Sequence, residues 1–339
     1  MNLESARELK MICLKQHLEE LPRIQELWLS ARSRRLSTRM HPTIAFGIRP
    51  MGNANYYLAI RVQNRALLKS RQLASFVERA REEVHVRYIG RVVKYNGIKN
   101  PFQITQRPLI IGASVANYNV TVGTIGCFVM PRVGGGPCIL SNNHVLANEG
   151  KSMAGSEILQ PAPSDQGVLS DTVATLTNSF PLDRNGINQV DAAVATIRPG
   201  IQFNANLLTG LGTLGSTLGP LLANKDIVFK IGRSSGLEKG IVSVVELSNV
   251  HIDYDIGNLR FDDQIEIENA PGEDAFAQPG DSGSLVVNQN MQAVGLLCGG
   301  SDQGGIDSQG PYYANHIGTV FDKLQVDLST HSNIPQAIV

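Results

Sequence analysis

A single serine flanked by glycines, in Gln278-Pro279-Gly280-Asp281-Ser282-Gly283-Ser284, runs straight into the apolar segment Leu285-Val286-Val287. Glycine tolerates backbone angles that other residues avoid, so this spacing predicts a tight turn with Ser282 at its tip and a buried strand behind it. A serine hydroxyl is a weak nucleophile at its own pKa; it needs a base beside it and donors aimed at the negative charge that develops on attack. With no side chain at Gly280, the backbone N–H groups of Gly280 and Ser282 are free to converge on one oxyanion. Glycine-rich turns holding a serine are common in loops, so the turn alone does not decide the chemistry. The rest of the chain must supply a base and an orienting acid.

Two segments offer them. Cys138-Ile139-Leu140-Ser141-Asn142-Asn143-His144-Val145-Leu146 is an apolar strand entering a polar turn, with His144 at its edge. Val190-Asp191-Ala192-Ala193-Val194-Ala195-Thr196-Ile197 is an acid opening a strand of small apolar residues. A neutral imidazole at His144 takes the Ser282 proton, provided a carboxylate holds the ring. Asp191 has a rival in Asp171, which also opens an apolar strand, Thr172-Val173-Ala174. Asp191 lies 47 residues after His144 and 91 before Ser282.

The Gly-Asp-Ser-Gly turn, the His144 strand-turn and the order His144, Asp191, Ser282 resemble the trypsin/chymotrypsin-fold serine peptidases. The gap from Asp191 to Ser282 is similar to the one in that family, which favours Asp191 over Asp171. The segment Lys230-Ile231-Gly232-Arg233-Ser234-Ser235-Gly236, followed by Gly240-Ile241-Val242, is similar to a subgroup of bacterial trypsin-like peptidases and plant narrow-leaf proteins. Gln106-Arg107-Pro108-Leu109, Val122-Gly123-Thr124-Ile125-Gly126 and Ser141-Asn142-Asn143-His144 match that subgroup too, so the resemblance covers about 106–325. It implies a mostly β chain, a chymotrypsin-like double β-barrel with barrels near 106–200 and 225–325. It also implies a serine endopeptidase acting on protein or peptide substrates through an acyl-enzyme. The alternative is a scaffold or binding protein that keeps the fold with little turnover.

The same resemblance sets expectations for single residues. Asp281 pairs in trypsin with a new N-terminus released by cleavage; with about a hundred residues of folded-looking chain ahead of the body, internal hydrogen bonds to Asp281 are expected instead. Phe276 stands six residues before Ser282, where trypsin holds the acid that binds Arg or Lys. Gly299 and Gly300 fall on the wall of that pocket. A small or apolar residue before the scissile bond is therefore expected. Ser284 departs from the second glycine usual after Ser-Gly, and Val145 replaces the cysteine that follows the histidine in secreted members.

Residues 1–105 form a separate unit by pattern, an α+β module ahead of a peptidase domain over 106–339. Apolar positions predict a helix over 3–35, with Pro22 breaking or restarting it. Strands are expected at Thr43–Ile48, Tyr56–Val62 and Val84–Val93, with a helix from about Arg65 to Arg81. Arg32, Arg34, Arg35 and Arg39 form a basic cluster, and 94–106 reads as a linker. Between the barrels, 200–224 is rich in Leu, Gly and Asn and reads as a connection with at most a short helix.

Charge is distributed unevenly although the net is zero. Residues 1–106 hold 19 Lys and Arg against 8 Asp and Glu, and the remainder holds 11 against 22. Such a division predicts docking of the module on the body, or a homo-oligomer built through it. No phosphate-cradling glycine loop and no aromatic stacking motif occurs, so nucleic acid is not an expected partner. The first residues carry charges where a signal peptide needs an apolar core, and no apolar run approaches the ~18 residues of a membrane span. A cytoplasmic protein is expected. The four cysteines, Cys13, Cys127, Cys138 and Cys298, form no C-x-x-C pair. They predict reduced buried thiols rather than disulfides or a metal site, and no cofactor is expected.

Overall fold

A computed structural model describes residues 1–30, 44–90, 92–93, 101–220, 222–223, 225–301 and 310–329. The Arg32–Arg39 basic cluster, Thr43 and most of the expected linker lie outside the described residues. Helix α1 spans Leu3–Ser30 and is followed by β1 (Ile44–Gly52), β2 (Asn55–Val62), α2 (Arg71–Arg79), β3 (Val84–Tyr88) and β4 (Val92–Val93). Contrary to expectation, α1 runs through Pro22 without a break. Proline loses one backbone bond and its ring crowds the carbonyl four residues back, but the backbone bonds on either side carry the helix on. Ala6, Lys10, Cys13, Leu14 and His17 are buried at spacings of three and four, which marks the face that α1 turns to the sheet. Cys13 and Leu14 join a core with Phe46, Leu58, Ile60 and Phe76. The rings of Phe46 and Phe76 meet edge to face, 5.0 Å between centroids.

Two closed barrels follow. The first is built from β5 (Ala116–Asn117), β6 (Cys127–Pro131), β7 (Cys138–Ser141), β8 (Glu157–Leu159), β9 (Thr172–Ser179) and β10 (Ala193–Ile197), with the one-turn helix α3 (Asn143–Leu146) after β7. Pairing runs β6-β7-β10-β9-β8-β5. Backbone bonds between Gly112–Val115 and Gly123–Ile125, the leads into β5 and β6, close the ring. The small side chains Ala193 and Ala195 let β10 lie buried against its neighbours everywhere but at Thr196.

The second barrel contains β11 (Ile227–Gly232), β12 (Gly236–Ser248), a hairpin of β13 (Val250–Tyr254) and β14 (Gly257–Phe261), then β15 (Gln264–Asn269), β16 (Leu285–Asn288), β17 (Ala293–Ser301) and β18 (Tyr312–His316). The cycle β11-β12-β15-β18-β17-β16 returns to β11. Helix α4 (Ile317–Leu324) and β19 (Val326–Leu328) then cross back, and β19 pairs with β6 of the first barrel. The chain is thus mostly β, a chymotrypsin-like double barrel preceded by a small α+β module. The segment over 200–220 shows no helix among its described residues. It holds only two-residue strands, Leu207–Leu208 against Gly212–Thr213 and Phe203–Asn204 against Leu109–Ile110.

The N-terminal strands extend the second barrel's sheet. Strand β1 pairs antiparallel with β12, Phe46 opposite Ser248. Strand β4 lies between β13, Ile252 opposite Val92, and the end of β17, Gly300 opposite Val93. Opposite charges meet across this junction: Arg7 with Glu246, Arg87 with Glu268, and Arg61 with Glu266 at 2.7 Å, both partners fully buried. In each pair the base comes from the module and the acid from the barrel, so the uneven charge is used within one chain. Among the described residues no helix is long and apolar enough to cross a membrane.

Candidate active site

Strand β7 ends at Ser141, paired with Ala193 of β10, and Asn142 stays extended at the mouth of α3. Its amide donates to the Asp191 carbonyl at 2.7 Å, tying the histidine turn to the acid's backbone. His144 follows inside α3. Its backbone N–H donates to Asp191 Oδ1 at 3.1 Å, and its ring Nδ1 is bonded to Asp191 Oδ2. An ionised carboxylate only accepts, so Nδ1 carries the proton and Nε2 is left as an acceptor, the form a general base requires. Burial on its own would raise the Asp191 pKa. The electrostatic interaction with the His144 ring and the hydrogen bonds from His144 and Tyr254 outweigh it and hold the carboxyl below its ordinary value. The Tyr254 hydroxyl donates to Asp191 Oδ2 at 2.8 Å, and the Asp191 N–H donates to Asn315 Oδ1 at 2.9 Å. Asp171 sits elsewhere, closing a short turn in which its carboxylate accepts the Val168 N–H at 2.9 Å.

The serine turn reaches this pair through β7. Gly280 and Gly283 both have positive φ, +98° and +91°. A Cβ at Gly283 would collide with Ser141 Oγ, so the turn sits against the strand end that leads into His144. Thr124 fastens it twice, its N–H to the Ser282 carbonyl at 2.9 Å and its hydroxyl to the Gly280 carbonyl at 2.8 Å. The N–H groups of Gly280 and Ser282 have no acceptor among the described residues, which leaves both donors available to a ligand. No hydrogen bond joins Ser282 Oγ to His144 among the described residues; bonds of this kind are often long before substrate arrives.

Beneath the turn, Asp281 is fully buried and saturated with donors. Lys230 Nζ lies 2.9 Å from its Oδ2, with neither side chain exposed. Ser234 N–H donates at 2.7 Å, Ser235 Oγ at 2.6 Å and Gln278 N–H at 2.9 Å. Burial pulls the Lys230 ammonium below its usual pKa, and the Asp281 charge opposes that pull. Arg233 is bonded to the buried Asp165, which also accepts from Ser114 Oγ at 2.6 Å. Ser284, the departure noted in the sequence, donates both N–H and hydroxyl to the Asp281 carbonyl, at 3.0 and 2.6 Å. The side chain replaces glycine's freedom with a second clamp on the turn.

Phe276 is fully buried in the second barrel, tilted against Tyr312 with centroids 5.7 Å apart. Gly299 and Gly300 lie on β17 opposite Tyr313 and Tyr312, and Gly300 also faces Val93 of β4. All four cysteines are buried and free. Among the described residues no group of three or more His, Cys, Asp or Glu side chains is placed to hold a metal ion. Sequence reasoning missed Tyr254 and Asn315, which touch Asp191 from strands that carry no motif. It singled out Lys230 as part of a pattern but not as the partner of Asp281.

No protein-family model matches the chain, and no curated protein matches its sequence. Among solved structures it is similar to Thermobifida fusca protease A, at 19% identity and a TM-score of 0.46 over 66% of this chain and 98% of that one. A chymotrypsin from Cellulomonas bogoriensis aligns at 18% identity and 0.44 over 66% and 98%. A Nocardiopsis protease aligns at 17% identity and 0.46 over 65% and 98%.

Proposed function

We propose that this chain is a serine endopeptidase that cleaves protein or peptide substrates through an acyl-enzyme on Ser282. The observation that carries the reading is the buried His144–Asp191 pair, with Nε2 left as acceptor, and a serine turn packed on the strand end that leads into His144, whose Gly280 and Ser282 N–H groups have no backbone acceptor among the described residues. In the proposed reaction His144 Nε2 takes the Ser282 proton while Oγ attacks the carbonyl carbon. The carbonyl oxygen gains the electron pair and is met by the N–H groups of Gly280 and Ser282. Collapse breaks the C–N bond, and the proton on His144 goes to the departing amine. Water then repeats the sequence on the ester and frees Ser282. Asp191 stays ionised throughout and stabilises the imidazolium.

Buried free thiols favour a reducing compartment as the working place. For specificity, the buried Phe276 in place of an acid, together with Gly299 and Gly300 on β17, favours a small or apolar residue before the cleaved bond. A peptide-library cleavage profile tests the specificity and the mechanism together: cleavage after small or apolar residues that vanishes in Ser282→Ala is expected. Cleavage after Arg or Lys would contradict the specificity, and cleavage that survives the substitution would contradict the mechanism.

A further inference from the structure

Asp191 Oδ2 faces two donors, His144 Nδ1 and the Tyr254 hydroxyl. Tyr254 ends β13, where Val250, Ile252 and Tyr254 share the buried face at the strand's two-residue period. Its ring also stands edge-on to the imidazole of His144, with centroids 5.8 Å apart and planes at 73°. One side chain therefore touches both members of the pair. The turn that follows Tyr254 is held from the histidine side. Glu149, five residues after His144 and with only 1% of its side chain exposed, accepts the N–H groups of Asp255 at 3.0 Å and Ile256 at 2.9 Å.

We propose that Tyr254 is a positioning residue for the His144–Asp191 pair, delivered by the β13–β14 hairpin and set in place by Glu149. The proposal rests on the peptidase reading and adds a residue to it. A carboxylate bonded to an imidazole is free to pivot, trading one lone pair for another. A second donor on the same oxygen, arriving from a rigid strand, fixes the carboxylate plane and leaves the remaining lone pair aimed at Nδ1. The ring edge against His144 blocks rotation of the imidazole away from that line. Burial first, and then the Asp191 charge, push the Tyr254 phenol well above its ordinary pKa, so its proton stays in place as the donor. The ionisable groups around the pair are His144, Asp191, Tyr254, Glu149 and Cys298, and burial likewise keeps the Cys298 thiol protonated. Strand β13 is braced in turn by β4 of the N-terminal module, Ile252 opposite Val92.

Tyr254→Phe keeps the ring and removes only the hydroxyl. Two readouts are taken on the full chain: the rate of Ser282 labelling by a fluorophosphonate, and the downfield proton resonance of His144 Nδ1. Labelling is expected to slow by about 10- to 100-fold, the size of one hydrogen bond to a charged group, and the resonance to shift or broaden. Glu149→Gln, which keeps the side-chain shape but weakens the grip on the turn, is expected to move both readouts in the same direction by less. Circular dichroism identifies any variant that fails to fold, and the other variant then carries the test. Wild-type labelling together with an unmoved resonance in folded Tyr254→Phe overturns the proposal. A wild-type protein that never labels, yet whose Nδ1 resonance responds to Tyr254→Phe, would keep Tyr254 as the pair's positioning group and reject the peptidase reading instead.

Discussion

Lys230→Met isolates the device that keeps the serine turn formed. The ammonium and the Asp281 carboxylate are 2.9 Å apart and wholly shielded from water. Removing one member of such a pair strands the other charge in a poorly polarisable interior, a change that costs about 3–5 kcal/mol. Asp281 keeps donors from Ser234, Ser235 and Gln278, so the lower end, about 3 kcal/mol, is expected. The effect on the site should exceed the effect on the fold. Asp281 is the residue between Gly280 and Ser282, and a carboxylate that turns outward to find water drags both oxyanion donors with it. Urea denaturation reads the first quantity, and fluorophosphonate labelling of the folded fraction reads the second. The double variant Lys230→Met, Asp281→Asn removes both charges and should recover most of the lost stability, because no ion is left unpaired. A single variant within about 0.5 kcal/mol of wild type, labelling at the wild-type rate, would refute the claim that this pair holds the turn.

Two further outcomes follow from the geometry. Asp191→Asn should lower turnover by about 10⁴-fold by favouring the wrong imidazole tautomer, while Asp171→Asn should leave turnover near wild type; the reverse pattern would exchange their roles. His85 is held at a pKa of about 3 by burial and by the charges of Arg61, Arg49 and Arg87, against 6.5 ordinarily. Between those values the unfolded chain binds a proton that the fold refuses, so stability falls as pH drops through that window. Urea midpoints at several pH values should show a shallower fall in His85→Gln, and equal slopes would contradict this.

The parts of the site carried by short local patterns were legible from the chain. Gly280 and Gly283 announce the turn because positive φ nearly demands glycine, and His144 and Asp191 sit beside strands whose apolar runs are unambiguous. What escaped was long-range. Lys230 meets Asp281 across 51 residues and Tyr254 meets Asp191 across 63, and no spacing rule links them. Tyr254 in particular continues an ordinary alternation in β13, so its sequence signal equals that of any inward aromatic residue. Val92–Val93 falls inside the strand expected over Val84–Val93, but its separation from β3 as β4 and its pairing with β13 and β17 depend on partners far along the chain. Pro22 misled because its local penalty is certain, whereas the neighbouring backbone bonds that carry α1 through it leave no mark in the sequence. The segment after residue 200 reads as a connection with at most a short helix, and its described residues hold only two-residue strands.

The central claim is that Ser282 is a nucleophile activated by His144. Incubating the folded chain with a fluorophosphonate probe, then mapping the adduct by mass spectrometry, tests it most directly. The account predicts one adduct, on Ser282, absent in Ser282→Ala and strongly slowed in His144→Ala, with both variants still folded. A folded wild-type protein that takes up no probe, or takes it up at another residue, would contradict it.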